Sequence, residues 1–246
     1  MLRSRSADLV GILNGADYTA WDPATDPLIP ANFDERDLSG KRLCKRALIE
    51  TFFPGKDFER PLLAIVSRLS GQKGFDLLMQ VSHELLAEGV SLIVIGSGEQ
   101  RFEEFFRWLA AAYSGRVAVQ IGYDEAAARR IYAAADMILM PSRYEPCGLP
   151  QIYGMRYGAL PLVRITGGLE DTVDRKTGFV FHEATGEALL RSFRSALQVY
   201  RTPRWREMMR AAMQRRFSWQ AAGCEYIQLY RRLTSSSGSA ARSTAG

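Results

Sequence analysis

Glu145 is the one carboxylate in the stretch Ser142-Arg143-Tyr144-Glu145-Pro146-Cys147-Gly148-Leu149-Pro150-Gln151. An apolar run, Ile138-Leu139-Met140, precedes it and reads as the end of a buried strand; a helix pattern opening on Gly148 follows. Strand-to-helix turns are where α/β proteins collect ligands and catalytic groups. Glu145 is therefore expected at a mouth rather than in a core, exposed and facing a ligand; the rival reading is a salt bridge to Arg143. Neighbouring Cys147 has no histidine nearby in sequence, which argues against a thiolate nucleophile.

Two further turns have the composition of an anion site. Ser67-Arg68-Leu69-Ser70-Gly71-Gln72-Lys73-Gly74 sets two cations and two glycines between a strand and a helix. Unpaired N–H groups and the dipole at such a helix N terminus favour an anion, and Arg68 and Lys73 add charge. A diphosphate fits, against the alternative that both cations are plain surface charges. Thr166-Gly167-Gly168 offers consecutive backbone donors unobstructed by side chains, suited to a second phosphate contact. Gly96-Ser97-Gly98 is only superficially a dinucleotide fingerprint, because Arg101 stands where the third glycine belongs. The two histidines, His83 and His182, read as structural.

These turns need a sheet to hold them. From Pro61 onward, apolar runs of strand length at 61–66, 90–95, 117–121, 136–140, 160–163 and 178–181 alternate with helical stretches, the pattern of repeated βαβ units. Leu62-Leu63-Ala64-Ile65-Val66 is wholly apolar, as a parallel strand covered on both faces must be. The expected class is α/β, a Rossmann-like parallel sheet with helices on both faces. Upstream, Leu9 to Leu13 reads as a short strand, the loop to Phe33 is expected to be ordered by Trp21, and a helix is expected over about 37–51. Helices are expected near 185–200, 203–215 and 218–232. Residues 234–246, mostly Ser, Gly and Ala, read as a disordered tail, so the domain is drawn over 1–233.

Bulk properties narrow the class of function. The chain has 246 residues, 47% hydrophobic and 24% charged, enough for one large α/β domain with a core. A formal charge of +5 favours anionic ligands. Arginines such as Arg191, Arg194, Arg201 and Arg210 lie along helical segments, however, so solvated faces are the reading and no nucleic-acid partner is expected. Cys44, Cys147 and Cys224 are odd in number and far apart, suggesting neither a disulfide framework nor a metal cluster. The apolar run near the start is too short for a signal core or membrane helix, and a soluble cytoplasmic protein is expected.

Taken in order, several stretches resemble the C-terminal half of bacterial glycogen synthase and plant starch synthase, the ADP-glucose glucosyltransferases. They are Gly11 to Asp17 with Trp21-Asp22-Pro23, Val66 to Gly74, Met140 to Leu149, Tyr157 to Val163, Thr166 to Leu169 and Phe217-Ser218-Trp219. The resemblance runs from residue 8 to 233 and is specific, because long motifs recur in one order. It implies the C-terminal half of a GT-B architecture. It places phosphate-binding cations on Arg68 and Lys73, the active-site glutamate on Glu145 and the adenine-stacking aromatic on Tyr123. Cys147, Gly148, Leu149, Thr166, Gly167 and Gly168 fall on the remaining donor-binding positions. It implies transfer of glucose from ADP-glucose to an α-glucan with retention, by front-face attack in which the departing phosphate takes the acceptor proton, with no cofactor and no metal.

Relatives that use UDP- or GDP-sugars carry a second glutamate eight residues after the first, where it binds ribose. Tyr153 stands there, as in the ADP-glucose enzymes. Two departures are Pro150, where the synthases commonly have a residue with an N–H, and Ala128, where many have His. The N-terminal synthase domain, with its Lys-Thr-Gly-Gly-Leu loop and histidine, is absent from this sequence, so the chain resembles a fragment or truncated product, inactive alone. Two rivals stay open: a non-catalytic nucleotide-binding module, and a retaining transferase using a UDP- or GDP-sugar.

Overall fold

The computed structural model describes residues 3–240, with side chains described for 4–235. Two compact units are distinguished, Thr19–Arg215 on the one hand and the segments up to Tyr18 and from Arg216 on the other, where the sequence was read as a single domain over 1–233. The larger unit holds a six-stranded, all-parallel sheet in the order β3-β2-β1-β4-β5-β6. Its strands are β1 (Leu62–Val66), β2 (Ser91–Gly96), β3 (Val117–Ile121), β4 (Met137–Met140), β5 (Leu160–Arg164) and β6 (Phe179–Phe181), close to the predicted runs. Helices α1 (Ser39–Phe52), α2 (Phe75–Ala87), α3 (Gln100–Ala112), α4 (Glu125–Ala134), α5 (Pro150–Arg156), α6 (Gly168–Thr172), α7 (Gly186–Val199) and α8 (Pro203–Gln214) complete it.

Alternation along the strands explains why both faces are covered. Leu62, Ala64 and Val66 of β1 join Ile93 and Ile95 of β2 and Ile138 and Met140 of β4 in one core, sealed by Cys44, Leu48 and Ile49 of α1 and Ile131 and Tyr132 of α4. The intervening residues, such as Leu63, Ile65, Leu92 and Val94, are equally buried and must face the other layer, where α2 packs on α7. Beneath β1, Asp136 accepts hydrogen bonds from Leu62 N (2.7 Å), Lys45 Nζ (2.6 Å) and the Tyr200 hydroxyl (3.2 Å). That buried carboxylate is thus paired and satisfied.

The sequence changes direction in the sheet between β1 and β4. Strands β2 and β3 lie to one side of β1, while β4, β5 and β6 lie to the other. From β1 the chain goes on to β2 on one side and from β4 to β5 on the other, and a switch of this kind is where α/β sheets form a ligand crevice at their carboxyl end. Arg68 and Lys73 follow β1, and Glu145 follows β4.

Within the larger unit the loop before α1 is tied down as expected. Trp21 stacks on Tyr153 with centroids 4.4 Å apart and meets Tyr132 edge-on at 6.0 Å. In the smaller unit the expected strand over Leu9–Leu13 does not form: a 3-10 helix covers Arg3–Asp8, and residues 9–15 have no regular structure. An apolar run becomes a strand only with a ladder partner, and Leu9–Leu13 has none among the described residues; the isolated bridge of this unit, Ala16 to Ser218, lies after it. Helix α9 runs over Trp219–Ala240, beyond the Thr234 boundary at which a disordered tail was expected; residues 241–246 of that tail lie outside the described residues.

Candidate active site

The β1 loop is clamped from two sides. Toward β2, Leu69 N donates to Ser97 O (2.9 Å) and Glu99 N to Leu69 O (2.7 Å), so the two chains continue side by side past the strand ends. Glu99 then accepts from Gly71 N at 2.7 Å, and Arg101 holds its other oxygen. The Gly71 amide, followed by Arg101, keeps the Glu99 carboxyl below the usual carboxylate range. Toward β4, Arg143 N donates to Gln72 O (2.9 Å) and Gln72 Nε2 to Tyr144 O (3.1 Å). Gly74 adopts a left-handed φ of 70°, and a Cβ there would lie 2.0 Å from Pro141 O, so only glycine permits this approach.

Between these clamps Lys73 Nζ meets Glu145 Oε2 at 2.5 Å, with side chains only 13% and 6% exposed. Ser142 Oγ donates to the same oxygen at 3.3 Å. Two expectations are corrected here. Glu145 is buried rather than exposed, and its partner is Lys73 rather than Arg143, which pairs with Asp76 instead. Asp76 sits in the first turn of α2, where no side chain caps the helix.

The third turn closes on the second through the backbone. Gly168 N donates to Glu145 O at 2.9 Å. A Cβ on Gly167 would lie 2.2 Å from that same oxygen, and one on Gly168 would lie 2.6 Å from Cys147 Cα. The expected run of phosphate donors is therefore shortened, because the Gly168 N–H is already committed, while Gly167 N–H has no hydrogen-bond partner among the described residues. Thr166 O accepts from Leu169 N (3.2 Å) to round the turn. Gln151 clamps the inside of the β4 loop by donating to Cys147 O and Gly148 O, both at 2.9 Å.

Beside this junction lies a pocket of about 330 Å³ lined by Trp21, Arg68, Tyr123, Leu149, Pro150 and Tyr153, among others. Arg68 is the one charged residue in its lining and has no ion pair among the described residues. Tyr123 is 69% exposed at the rim. Partial desolvation, then nearby Glu125, pushes its phenol up despite that exposure. Arg68, Tyr123 and Leu149 thus share one pocket, whereas Lys73 lines a small adjoining cavity with Ser67, Ser142 and Pro150. Glu145, Cys147, Gly148, Thr166, Gly167 and Gly168 gather at the junction rather than on the pocket wall. Sequence reasoning missed Glu99, Gln151 and Tyr132 as parts of this edge. The Gly-Ser-Gly turn after β2 was the one available signal, and it serves loop-to-loop pairing.

Residues 49–215 match the family described as glycosyl transferases, group 1. The chain belongs to that family. It is 46% identical over 241 residues to a glycogen synthase of Yersinia pestis strain Pestoides F, covering 94% of this chain and 51% of the relative. A glycogen synthase of Yersinia enterocolitica is 47% identical over 242 residues, covering 94% and 51%. Among solved structures, the catalytic domain of starch synthase IV from Arabidopsis thaliana, bound to ADP and acarbose, superposes with a TM-score of 0.86 at 33% identity, covering 94% of this chain and 50% of that one. The chain therefore spans about half the length of the curated relatives it matches. Its sheet is the Rossmann-like one of a GT-B glycosyltransferase domain, similar to the C-terminal domain of glycogen and starch synthases.

Proposed function

We propose that this chain is the donor-binding half of an ADP-glucose-dependent glycogen synthase, which transfers glucose with retention to the non-reducing end of an α-1,4-glucan when an N-terminal synthase domain faces it. The observation that supports this most is the placement of a pocket carrying Arg68 and Tyr123 directly beside the Lys73–Glu145 pair at the sheet's topological switch. Similarity to glycogen synthases and to an ADP-bound starch synthase supports the same reading.

In this proposal adenine stacks on Tyr123, Arg68 and Lys73 receive the diphosphate, and Gly167 N–H with Leu149 completes the cradle. Negative charge grows on the departing ADP as the glucosyl bond breaks, and the two cations stabilise it where water is scarce. Lys73 then exchanges part of its contact with Glu145 for phosphate, leaving the Glu145 carboxylate beside the hexose. The departing phosphate takes the acceptor's proton on the front face, and neither cofactor nor metal is needed. One wall of a cleft cannot orient an acceptor or exclude water, so the chain alone is proposed to bind the donor and turn over little or not at all. The donor domain is proposed to occupy 1–233 and the protein to act in the cytoplasm. Among the described residues no helix is long and apolar enough to cross a membrane.

Calorimetric titration with ADP-glucose, ADP, UDP and GDP tests the reading. ADP and ADP-glucose should bind best, and Lys73→Gln should weaken them by about 1.5–3 kcal/mol, the range for a charged hydrogen bond. Tighter binding of UDP or GDP, or no heat with any nucleotide, would reject it.

A further inference from the structure

Resting on that donor reading, we infer that Arg164 is a positioning residue: its guanidinium holds the two carbonyls that lead into Glu145 and so sets that carboxylate beside the hexose. Arg164 is the last residue of β5, at the end of an otherwise buried strand and two residues ahead of the Thr166-Gly167-Gly168 turn. Its Nη1 donates to Arg143 O at 3.0 Å and to Ser142 O at 3.3 Å, and its Nε donates to His182 O at 3.1 Å.

The end of the sheet ladder explains why a side chain is needed there. Pairing of β4 with β5 stops at Met140 and Val163. Pro141 comes next and has no N–H to carry the ladder further, so the Ser142 and Arg143 carbonyls lie past strand pairing and the Arg164 side chain takes them. A guanidinium is a planar fork whose donors keep fixed directions, so one group constrains both peptides together. Gln72 holds other polar groups of the same segment, accepting from Arg143 N at 2.9 Å and donating to Tyr144 O at 3.1 Å, while Gly168 N holds Glu145 O at 2.9 Å. Ser142 is 1% exposed and turns its hydroxyl onto Glu145 Oε2 at 3.3 Å. A hold on Ser142 O is therefore passed to the carboxylate itself.

The strand does not depend on that side chain. Arg164 is in register with Phe181 of β6, and Ile165 N donates to Phe181 O at 2.9 Å through backbone alone. Losing the guanidinium should loosen the approach to Glu145 while the sheet stays paired. Diphosphate contacts assigned to Arg68 and Lys73 come from the β1 loop, so ADP should respond less than ADP-glucose, whose hexose meets Glu145. A purely structural prop would weaken both ligands alike.

Calorimetry with ADP and ADP-glucose, together with residue-resolved amide exchange, tests this on the whole chain as wild type, Arg164→Lys and Arg164→Met. Arg164→Met should bind ADP-glucose about tenfold more weakly, the equivalent of one hydrogen bond to a charged group, with ADP within about twofold of wild type. Exchange of the Gly168 amide, which donates to Glu145 O, should quicken about tenfold at an unchanged urea midpoint. Arg164→Lys should fall between, because an ammonium keeps the charge without the fork. Should circular dichroism show the methionine variant misfolded, the lysine variant carries the test in the same direction. Gly168 exchange equal to wild type, parallel loss of both ligands, or equal affinity of wild type for the two overturns the positioning role and leaves ADP binding standing. Absence of ADP binding by wild type overturns the donor reading and this role with it.

Discussion

Lys73 and Glu145 are 72 residues apart in sequence and 2.5 Å apart in space, largely withdrawn from water. Removing one member of such a pair strands the other charge, which costs more than the pair contributes. Lys73→Ala is therefore expected to lower unfolding stability by about 3 kcal/mol as well as weaken ADP. Adding Glu145→Gln should restore most of the stability but none of the binding, as urea unfolding and calorimetry would show. Restored binding in the double variant would mean that Lys73 serves only to neutralise Glu145. At Gly167, φ is 52° and ψ is −135°. Gly167→Ala should lose about 1–3 kcal/mol, from backbone strain and from pushing Glu145 O aside; an unchanged midpoint would contradict the tightness of this contact.

A third residue provides a pH signature. Lys41 Nζ donates to Tyr157 O (2.8 Å), Ala133 O (3.1 Å) and Tyr132 O (3.3 Å), and burial pushes its ammonium down to about 7. Between that value and the ordinary lysine value the unfolded chain keeps a proton that the folded chain has released. Stability then rises with pH across this window, by at most about 1.4 kcal/mol per pH unit from this group. Thermal unfolding from pH 7 to 9 should show that rise in wild type relative to Lys41→Met. Parallel profiles for the two proteins would refute the assignment.

Among elements, the β1 loop matters most, because it carries both cations and has little regular structure of its own. Glu99 ties it to the β2 loop through the Gly71 amide, while the β4 loop grips it through Gln72 and Gly74. Glu99 is solvent-accessible, so Glu99→Ala should leave global unfolding unchanged while loosening the loop. The expected outcome is faster amide exchange at Gly71 and several-fold weaker ADP binding, with Glu99→Gln intermediate because it retains an acceptor. Slow exchange at Gly71 in the alanine variant would show that the pairing of Leu69 with Ser97 suffices. Pro150 at the first position of α5 removes one N–H from the same edge without harming the helix.

For the whole molecule, the sheet order that parts β1 from β4 makes the crevice, and every candidate residue lies on its carboxyl side. In the smaller unit, Tyr226, Tyr230 and Leu233 recur at helical spacing along α9 with 37%, 60% and 56% exposure, beside Ile227 at 51%. Apolar exposure of that extent favours association. Light scattering should show mass rising with concentration, and Tyr230→Glu should reduce the rise. A constant monomer mass over the concentration range would count against this surface.

The strand runs, the glycine turns and the helices between them were readable from the linear chain, because alternation and backbone freedom depend on residues a few positions apart. The strand expected at Leu9–Leu13 failed for a related reason: an apolar run does not carry its ladder partner with it. Arg143 stands two residues from Glu145, yet Lys73 took the carboxylate and Arg143 took Asp76. Which cation meets which anion, how Glu99 reaches Gly71, and that Trp21 shares a wall with Tyr153 all depend on the strand order and the packing of distant segments. Those contacts exist only once burial of the two apolar faces has brought the strand ends to a common edge.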